Sequence, residues 1–459
     1  MWYLTSVFQR AFLFAQGERR YVMSIEKLAA SRILRPVRSM NKGSNERWFE
    51  YYRTTCPICG KQGWCMVNDS ETKIICGRIS SETVLGGAGY LHIIAEDQKR
   101  GYDFSQNQMI KEHRKKNDYN LDIIYTLFLE FLDMRDEHIK MLMGSKRRVT
   151  SEVINVRNYK SFPIKPWDTT KELIKKVGGK TSYIVGIPGF YAKETKDGRY
   201  FTFAGRRDSL LIPQRNIYNQ ICGFQCRIDN PEYMTVVKNH KPSFKAEVIE
   251  QPNVIEVTYK INGKIESIFK GKIDVKEWYE INYEGEKLGE VQLKLESKYI
   301  WISSGGKFHG TGAGNPLPIH VAVPSRELKS LERGELIKKD NVWISEGALK
   351  SDIAAENLDE LLTNEEKVMY GTTVVSIPGG KVWRILIEPL KKMGVKQATF
   401  ALDMDMITNS DVQRSLLECA QALYQEGISI NYASWDINLG KGLDDLLLND
   451  YIPAIEKVR

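Results

Sequence analysis

The feature that most constrains this chain is a set of carboxylates near its C-terminus. They are Glu346 in VWISEGALKSD, Asp403 and Asp405 in ATFALDMD, and Asp444 and Asp445 in GKGLDDLL. Apolar β-type runs precede the first two groups: Val342-Trp343-Ile344 before Glu346, and Ala398 to Leu402 before Asp403. Helical patterns lie between them, so the segment reads β-α-β-α. Strands joined in this way run parallel and bring their carboxyl ends to one edge of the sheet. The acids therefore converge in one crevice. Like charges at close range repel and raise one another's pKa. A divalent cation removes that cost. Hard oxygen ligands suit Mg²⁺, which takes one or two protein carboxylates together with substrate phosphates. The constellation points to metal-dependent phosphate chemistry.

A second cluster lies near the other end. Four of the seven cysteines fall in CPICGKQGWCMVNDSETKIIC, as Cys56, Cys59, Cys65 and Cys76. Cys56 and Cys59 form a knuckle whose two thiolates can share one Zn²⁺, with Gly60 easing the tight loop. Cys65 and Cys76 complete a tetrahedral Cys₄ set across an expected hairpin, Met66-Val67 against Lys73-Ile74-Ile75. Clustered thiols in a reducing compartment favour metal over disulfide. His92 is the fallback fourth ligand. Cys222, Cys226 and Cys419 sit in apolar contexts and read as small core residues.

The acidic segment resembles the Toprim domain of primases, topoisomerases and related nucleases. That domain carries a Glu after one strand, an Asp-x-Asp after the next and a further acidic group downstream. Glu346, Asp403-x-Asp405 and the run Lys441-Gly442-Leu443-Asp444-Asp445 match these in order. A zinc ribbon ahead of a Toprim segment is the domain order of bacterial replicative primases. The forms found here, CPICGKQGWC, Glu346 to Asp352 as EGALKSD, and Lys441 to Leu447 as KGLDDLL, resemble primase-like proteins of plasmids, phages and integrative elements.

The resemblance implies primer synthesis on single-stranded DNA from nucleoside triphosphates, in company with a separate replicative helicase. It implies structural Zn²⁺ and catalytic Mg²⁺ or Mn²⁺. Asp403, Asp405 and Asp444 would hold the catalytic ion. Glu346 would be a metal ligand or general base, and Lys350 or Lys441 would balance phosphoryl charge. Replicative primases carry an acid at the fourth position after the motif Glu. Here that position is Lys350, with Asp352 two residues later. The departure bears directly on the metal array. Two other readings use the same residues: a Toprim nuclease with water as nucleophile, and a catalytically inactive DNA-binding module that recruits a helicase or polymerase. No catalytic tyrosine context or gate domain stands out among the 22 tyrosines, which counts against a topoisomerase.

The expected architecture is α/β and multidomain. It comprises an N-terminal extension (1–45), a small zinc ribbon (46–95), a linker (96–120) and an α+β primase-like core (121–230). A β-rich insertion (231–297), the rest of the core (298–335) and a C-terminal Toprim-like α/β domain (336–459) follow. The first residues, MWYLTSVFQRAFLFAQGERR, carry charge after their apolar part, the wrong order for a signal peptide. They read as an amphipathic helix or as sequence upstream of a start at Met23. No apolar run approaches the ~20 residues of a membrane span, which points to the cytoplasm. A net charge of +8 on 459 residues is mild. Local clusters say more: Lys111 with His113-Arg114-Lys115-Lys116, Lys146-Arg147-Arg148, and Arg206-Arg207.

Within the core, Leu121 to Met143 has helical apolar spacing, with Ile124, Leu127, Phe128, Phe131 and Leu132 on one stripe. Ser209 to Asp229 reads as two strands around Asn219-Gln220, and Lys298 to Ser304 as a third. Arg215, Arg227 and Lys298 sit in or beside these strands and are the candidate nucleic-acid contacts, their heads facing a groove. Asn262-Gly263 marks a hairpin in the insertion, read as a surface appendage. Gly178-Gly179-Lys180-Thr181 is no phosphate loop, because Ile174 stands where the first glycine belongs and a helix precedes it. Ser303 to Gly314 reads as a flexible connector.

Overall fold

The computed structural model describes residues 34–37, 48–52, 55–81, 83–84, 89–94, 113–195, 198–239, 244–261, 264–379, 382–404 and 410–457. Met23, Lys111, the Asn262-Gly263 turn and Asp405 lie outside the described residues.

The N-terminal unit is one antiparallel sheet. Its strand order is Leu34–Pro36, Trp48–Tyr51, Met66–Asn68, Lys73–Cys76, Tyr90–Ile93, Thr83–Val84. The expected hairpin is present, with Met66 opposite Ile75 and Val67 opposite Ile74. Asn68 shapes its turn: the side-chain carbonyl accepts from Thr72 N and Lys73 N, both at 2.9 Å.

The next unit packs helices on a hairpin. The helix-period stretch from Leu121 splits in two, Asp118–Leu129 and Asp136–Met143. Leu132 turns inward between them while Phe131 faces solvent. Asn117 caps the first helix by accepting from Asn120 N, as a short polar side chain does at this position. Its apolar face, Leu121, Tyr125 and Phe128, packs with Phe190, Phe203 and Phe224. The hairpin is Ser209–Arg215 with Ile221–Ile228, and Tyr299–Trp301 adds to it as read from the sequence. Cys222, Cys226 and Cys419 are buried, as expected.

The insertion between Ile228 and Tyr299 is more than a hairpin appendage. It forms two three-stranded antiparallel sheets, Tyr233–Asn239, Glu286–Leu295, Tyr279–Tyr283 and Lys245–Glu250, Val254–Ile261, Lys264–Lys272. Phe244, Ile255, Val257, Ile281, Leu288 and Val291 give it a core of its own. The hairpin signal at Asn262-Gly263 accounts for Val254–Ile261 and Lys264–Lys272, but only tertiary packing joins all six strands into a module.

The C-terminal domain is an α/β sheet. The order is His320–Ala322, Val374–Ile377, Asn341–Glu346, Gln397–Phe400, Ser429–Ser434, Ala454–Lys457. The four inner strands are parallel and the two edges antiparallel. Alternation along one strand fills both faces: Val342 and Ile344 join one cluster, and Trp343 the other, with Leu358 and Leu447. From Asn341–Glu346 the chain first moves to Val374–Ile377 on one side. It then crosses to Gln397–Phe400 on the other. The crevice between Asn341–Glu346 and Gln397–Phe400 is thus a topological switch point, where ligands of open α/β sheets bind.

One buried polar knot joins this domain to the core unit. Asp352, in the helix Ala348–Leu361, accepts from Tyr159 Oη at 2.5 Å and forms an ion pair with Arg157. Arg157 Nη2 also donates to Glu356 Oε1 at 2.5 Å and to Val323 O at 2.8 Å. His320 Nδ1 accepts from Arg215 N at 2.9 Å, so Nε2 carries the proton and donates to Asp352 at 3.1 Å. Around it lies an apolar seam from both units, including Val153, Ile154, Leu210, Ile212, Leu349 and Ile353.

Candidate active site and metal centre

Glu346 ends its strand, and Gly347 (φ 85°) then turns the chain into the helix Ala348–Leu361. That turn needs a left-handed backbone, which glycine adopts without strain. On the adjacent strand Phe400 is level with Ile344, so Asp403 leaves the sheet beside Glu346. Both acids stand at the carboxyl edge of the switch point, as the β-α-β-α pattern requires. Asp444 arrives from the helix Leu443–Leu448.

The acids are not free. Lys350 Nζ donates to both carboxylate oxygens of Asp403, at 2.8 and 2.6 Å. Lys441 Nζ lies 3.9 Å from Asp403 Oδ2. Asp403 is 8% exposed and Asp444 5%. Asp444 Oδ1 is buried with no hydrogen-bond partner. Burial first, and the Asp445 charge next, push the Asp444 carboxyl up to about 6, against the pull of Lys350. Burial works against the Lys350 charge, but its bonds to Asp403 outweigh that and hold its pKa above the ordinary value. Gly442 makes the close approach possible. A methyl carbon there would lie 2.6 Å from Asp444 Oδ1, 3.0 Å from Asp403 Oδ1 and 3.3 Å from Lys350 Nζ.

Asp352, the motif's last acid, does not reach this crevice. Burial pushes its pKa up, but Arg157 and His320 outweigh burial and hold it below the usual carboxylate range. It belongs to the knot between the units.

The candidate nucleic-acid contacts divide. Arg215 does not face a groove: it is 4% exposed, and its guanidinium donates to Asn219 Oδ1 at 3.1 Å. Burial, then the Arg333 charge, lowers its pKa to about 10. The cause is the strand's position. Every residue of Ser209–Arg215 is buried, because helices and the C-terminal domain cover both faces of the hairpin. Arg227 is also buried and lies 3.3 Å from Asp229. Lys298 is exposed, and its pKa is lowered by partial desolvation and then by Arg227, Arg147 and Lys146. Arg147 also acts on Asp444. Arg147 is the member of this basic cluster whose charge reaches the acids.

Among the described residues, the four ribbon thiols are the only group of three or more potential metal ligands with ligating atoms all within 4.8 Å of one another. Cys59 and Cys65 sulfurs are 3.6 Å apart, and Cys65 and Cys76 sulfurs 3.7 Å. A tetrahedron of Zn–S bonds near 2.3 Å has edges of about 3.8 Å. The donor set thus fits zinc. The crowded Cys65 thiol is pushed well up, by its bond to Cys56 and then by burial, so its deprotonation needs a cation. Arg78 carries no motif that marks it in the sequence. Its Nη1 donates to Cys65 Sγ at 3.5 Å and to Cys59 Sγ at 3.6 Å, and Ile79 N donates to Cys76 Sγ at 3.4 Å. His92 stands apart from the thiols, 3.1 Å from Ile79 O.

A groove of about 710 Å³ is lined by His113, Arg114, Thr181, Arg199, Phe201 and His309, among others. Its parts were visible only singly, as a basic run and a glycine-rich segment. That segment is no flexible connector: Ser304 is buried and its hydroxyl accepts from Gly189 N at 3.1 Å and Thr311 N at 2.9 Å. Of the basic run, Lys115 and Lys116 are spent on the core, donating to Ala313 O and to Ser182 and Tyr183 carbonyls.

No family model and no curated protein matches the chain. Solved primase structures do. The DnaG primase catalytic domain bound to ssDNA is 13% identical over 72% of this chain and 76% of that one, with a TM-score of 0.38. A DNA primase domain from Pseudomonas aeruginosa gives 12%, 71%, 74% and 0.39 in the same order. The Aquifex aeolicus primase, with its zinc-binding and RNA polymerase domains, gives 12%, 91%, 83% and 0.38. Likenesses this distant leave the chemistry to be read from the chain's own residues.

Proposed function

We propose that this chain is a primase-like nucleotidyltransferase of a mobile genetic element, joining ribonucleotides on a single-stranded DNA template. The observation that supports it most is Asp403 and buried Asp444 beside Glu346 at a parallel-sheet switch point, with Lys441 3.9 Å from Asp403 and the Arg147 charge acting on Asp444. Carboxylates next to cations suit a reaction between a hydroxyl and a triphosphate.

Asp403, Asp405 and Asp444 would hold Mg²⁺ or Mn²⁺; the partnerless Asp444 Oδ1 fits a hard cation. Such an ion supplies charge neutralisation of the triphosphate and a lower pKa for the attacking 3′-hydroxyl. Glu346 stands at the crevice as a further ligand or as the base that accepts the hydroxyl proton. Lys441 reaches the crevice from a half-exposed position and balances charge on the transferring phosphoryl group. The free N–H groups that open the helix Ala348–Leu361 lie at the same edge and favour a phosphate. Lys298, Lys146 and Arg147 hold template backbone, and the zinc ribbon holds the template ahead of the site. A separate helicase would deliver the single strand.

The recruitment-module reading has one observation in its favour: Lys350 already neutralises Asp403. Incubation with a single-stranded template, labelled ribonucleotides and Mg²⁺ or Mn²⁺ separates the readings. Template-dependent oligomers support the primase, cleavage without nucleotides the nuclease, and binding alone the module.

A further inference from the structure

Lys350 is the third residue of the helix Ala348–Leu361, yet its ammonium crosses to the neighbouring strand's acid. It takes both oxygens of Asp403, at 2.8 and 2.6 Å, within a pocket that leaves Asp403 8% exposed. A divalent ion needs those oxygens at about 2.0–2.1 Å for Mg²⁺. With the ammonium on both oxygens, Asp403 can lend an oxygen to an ion held at Asp444 but cannot seat a second ion of its own, because positive charges that close repel strongly where water is sparse. The neighbouring Asp444 differs. It is as deeply buried, and its Oδ1 has no partner. Gly442 keeps both acids and the ammonium around one point. The crevice is thus half supplied with positive charge by the chain itself.

We propose that Lys350 is a tethered cation that occupies the Asp403 end of the acidic crevice, so that the chain binds one divalent ion, at the Asp444 end, where the carboxylates alone would take a pair. The inference rests on the reading of these acids as a metal site. It assigns Lys350 a positioning duty. It keeps Asp403 ionised and in place without metal, and it limits how many ions enter.

Mn²⁺ titration of the zinc-loaded full-length chain, with free ion followed by electron paramagnetic resonance, tests this directly. The wild type should bind a single Mn²⁺ in the crevice, measured as the uptake lost in an Asp403→Asn/Asp444→Asn double variant. Lys350→Met should take up a second ion, and Lys350→Arg should stay at one. Without metal, Lys350→Met should melt lower, because buried Asp403 is left with only the more distant Lys441, and Mn²⁺ should restore more stability to it than to the wild type. Should Lys350→Met fail to fold, Lys350→Gln removes the charge while keeping a donor to Asp403, and it too should gain an ion. Two ions in the wild type, or one in both uncharged variants, overturns the tethered cation and leaves the metal site standing. Mn²⁺ uptake identical in the wild type and the double aspartate variant removes the metal site itself.

Discussion

Asp352 and Asp444 are both buried aspartates in one domain, and their surroundings push them in opposite directions. Asp352 is paired with Arg157 and bonded by Tyr159 and His320. Removing its charge leaves Arg157 buried without its principal partner, a change that typically costs 3–5 kcal/mol, so Asp352→Asn should lose about that much stability at neutral pH. The folded pKa is depressed, so the pairing stabilises above the ordinary carboxylate value of about 3.9 and is lost as pH falls through the lower folded value. Denaturant melts of both proteins should therefore converge in acid. For Asp444 the sign reverses. Its folded value of about 6 exceeds the unfolded one, so metal-free stability falls as pH rises toward about 6. Asp444→Asn should raise the metal-free melting point at pH 7 by the equivalent of about 1–3 kcal/mol, and thermal melts from pH 4 to 7 should show a flatter profile than the wild type. From sequence the two acids look alike, since both sit near a helix start in a motif with lysine. What separates them is Arg157, 195 residues away along the chain, which no local pattern can assign.

At the scale of elements, local chemistry was the better guide. Cys56-Pro-Ile-Cys59-Gly60, the Met66–Lys73 hairpin and the strand-end positions of Glu346 and Asp403 follow from spacing and alternation alone. The failures come from burial on two sides. Arg215 ends the strand Ser209–Arg215, whose apolar residues were expected to point inward and leave the arginine to a groove, but helices and the C-terminal domain cover both of its faces. Purified protein should carry one zinc per chain, and Cys56→Ser/Cys59→Ser should lose it; elemental analysis reads both. Unchanged zinc in that variant would exclude the four-thiol site. The ribbon also shows Trp64 to solvent, 78% exposed and at φ 61°, a backbone angle uncommon for any residue but glycine. An apolar ring held there at a conformational cost suits stacking on an unpaired base. Trp64→Ala should weaken single-stranded DNA binding by about 1–3 kcal/mol in fluorescence anisotropy while zinc content stays unchanged.

At the scale of the whole molecule, the proposed function puts a zinc-loaded ribbon, basic side chains and the acidic crevice on one template path. Single-stranded DNA affinity should fall steeply with salt, with a slope of about −0.7 per phosphate contact, and Lys298→Ala should flatten it by about one contact. A titration that ignores salt would speak against every nucleic-acid reading. The central claim is that the acids at the switch point run template-directed nucleotidyl transfer. The most direct measurement compares primer synthesis by the wild type and by Asp405→Asn on single-stranded templates with Mg²⁺ or Mn²⁺. Melting curves and DNA-binding titrations on the same samples show whether the fold and the template path survive. The wild type should make primers, and the variant should make none while melting and binding DNA nearly as the wild type does. Full primer synthesis by Asp405→Asn, or none by the wild type although it binds DNA, would contradict the account.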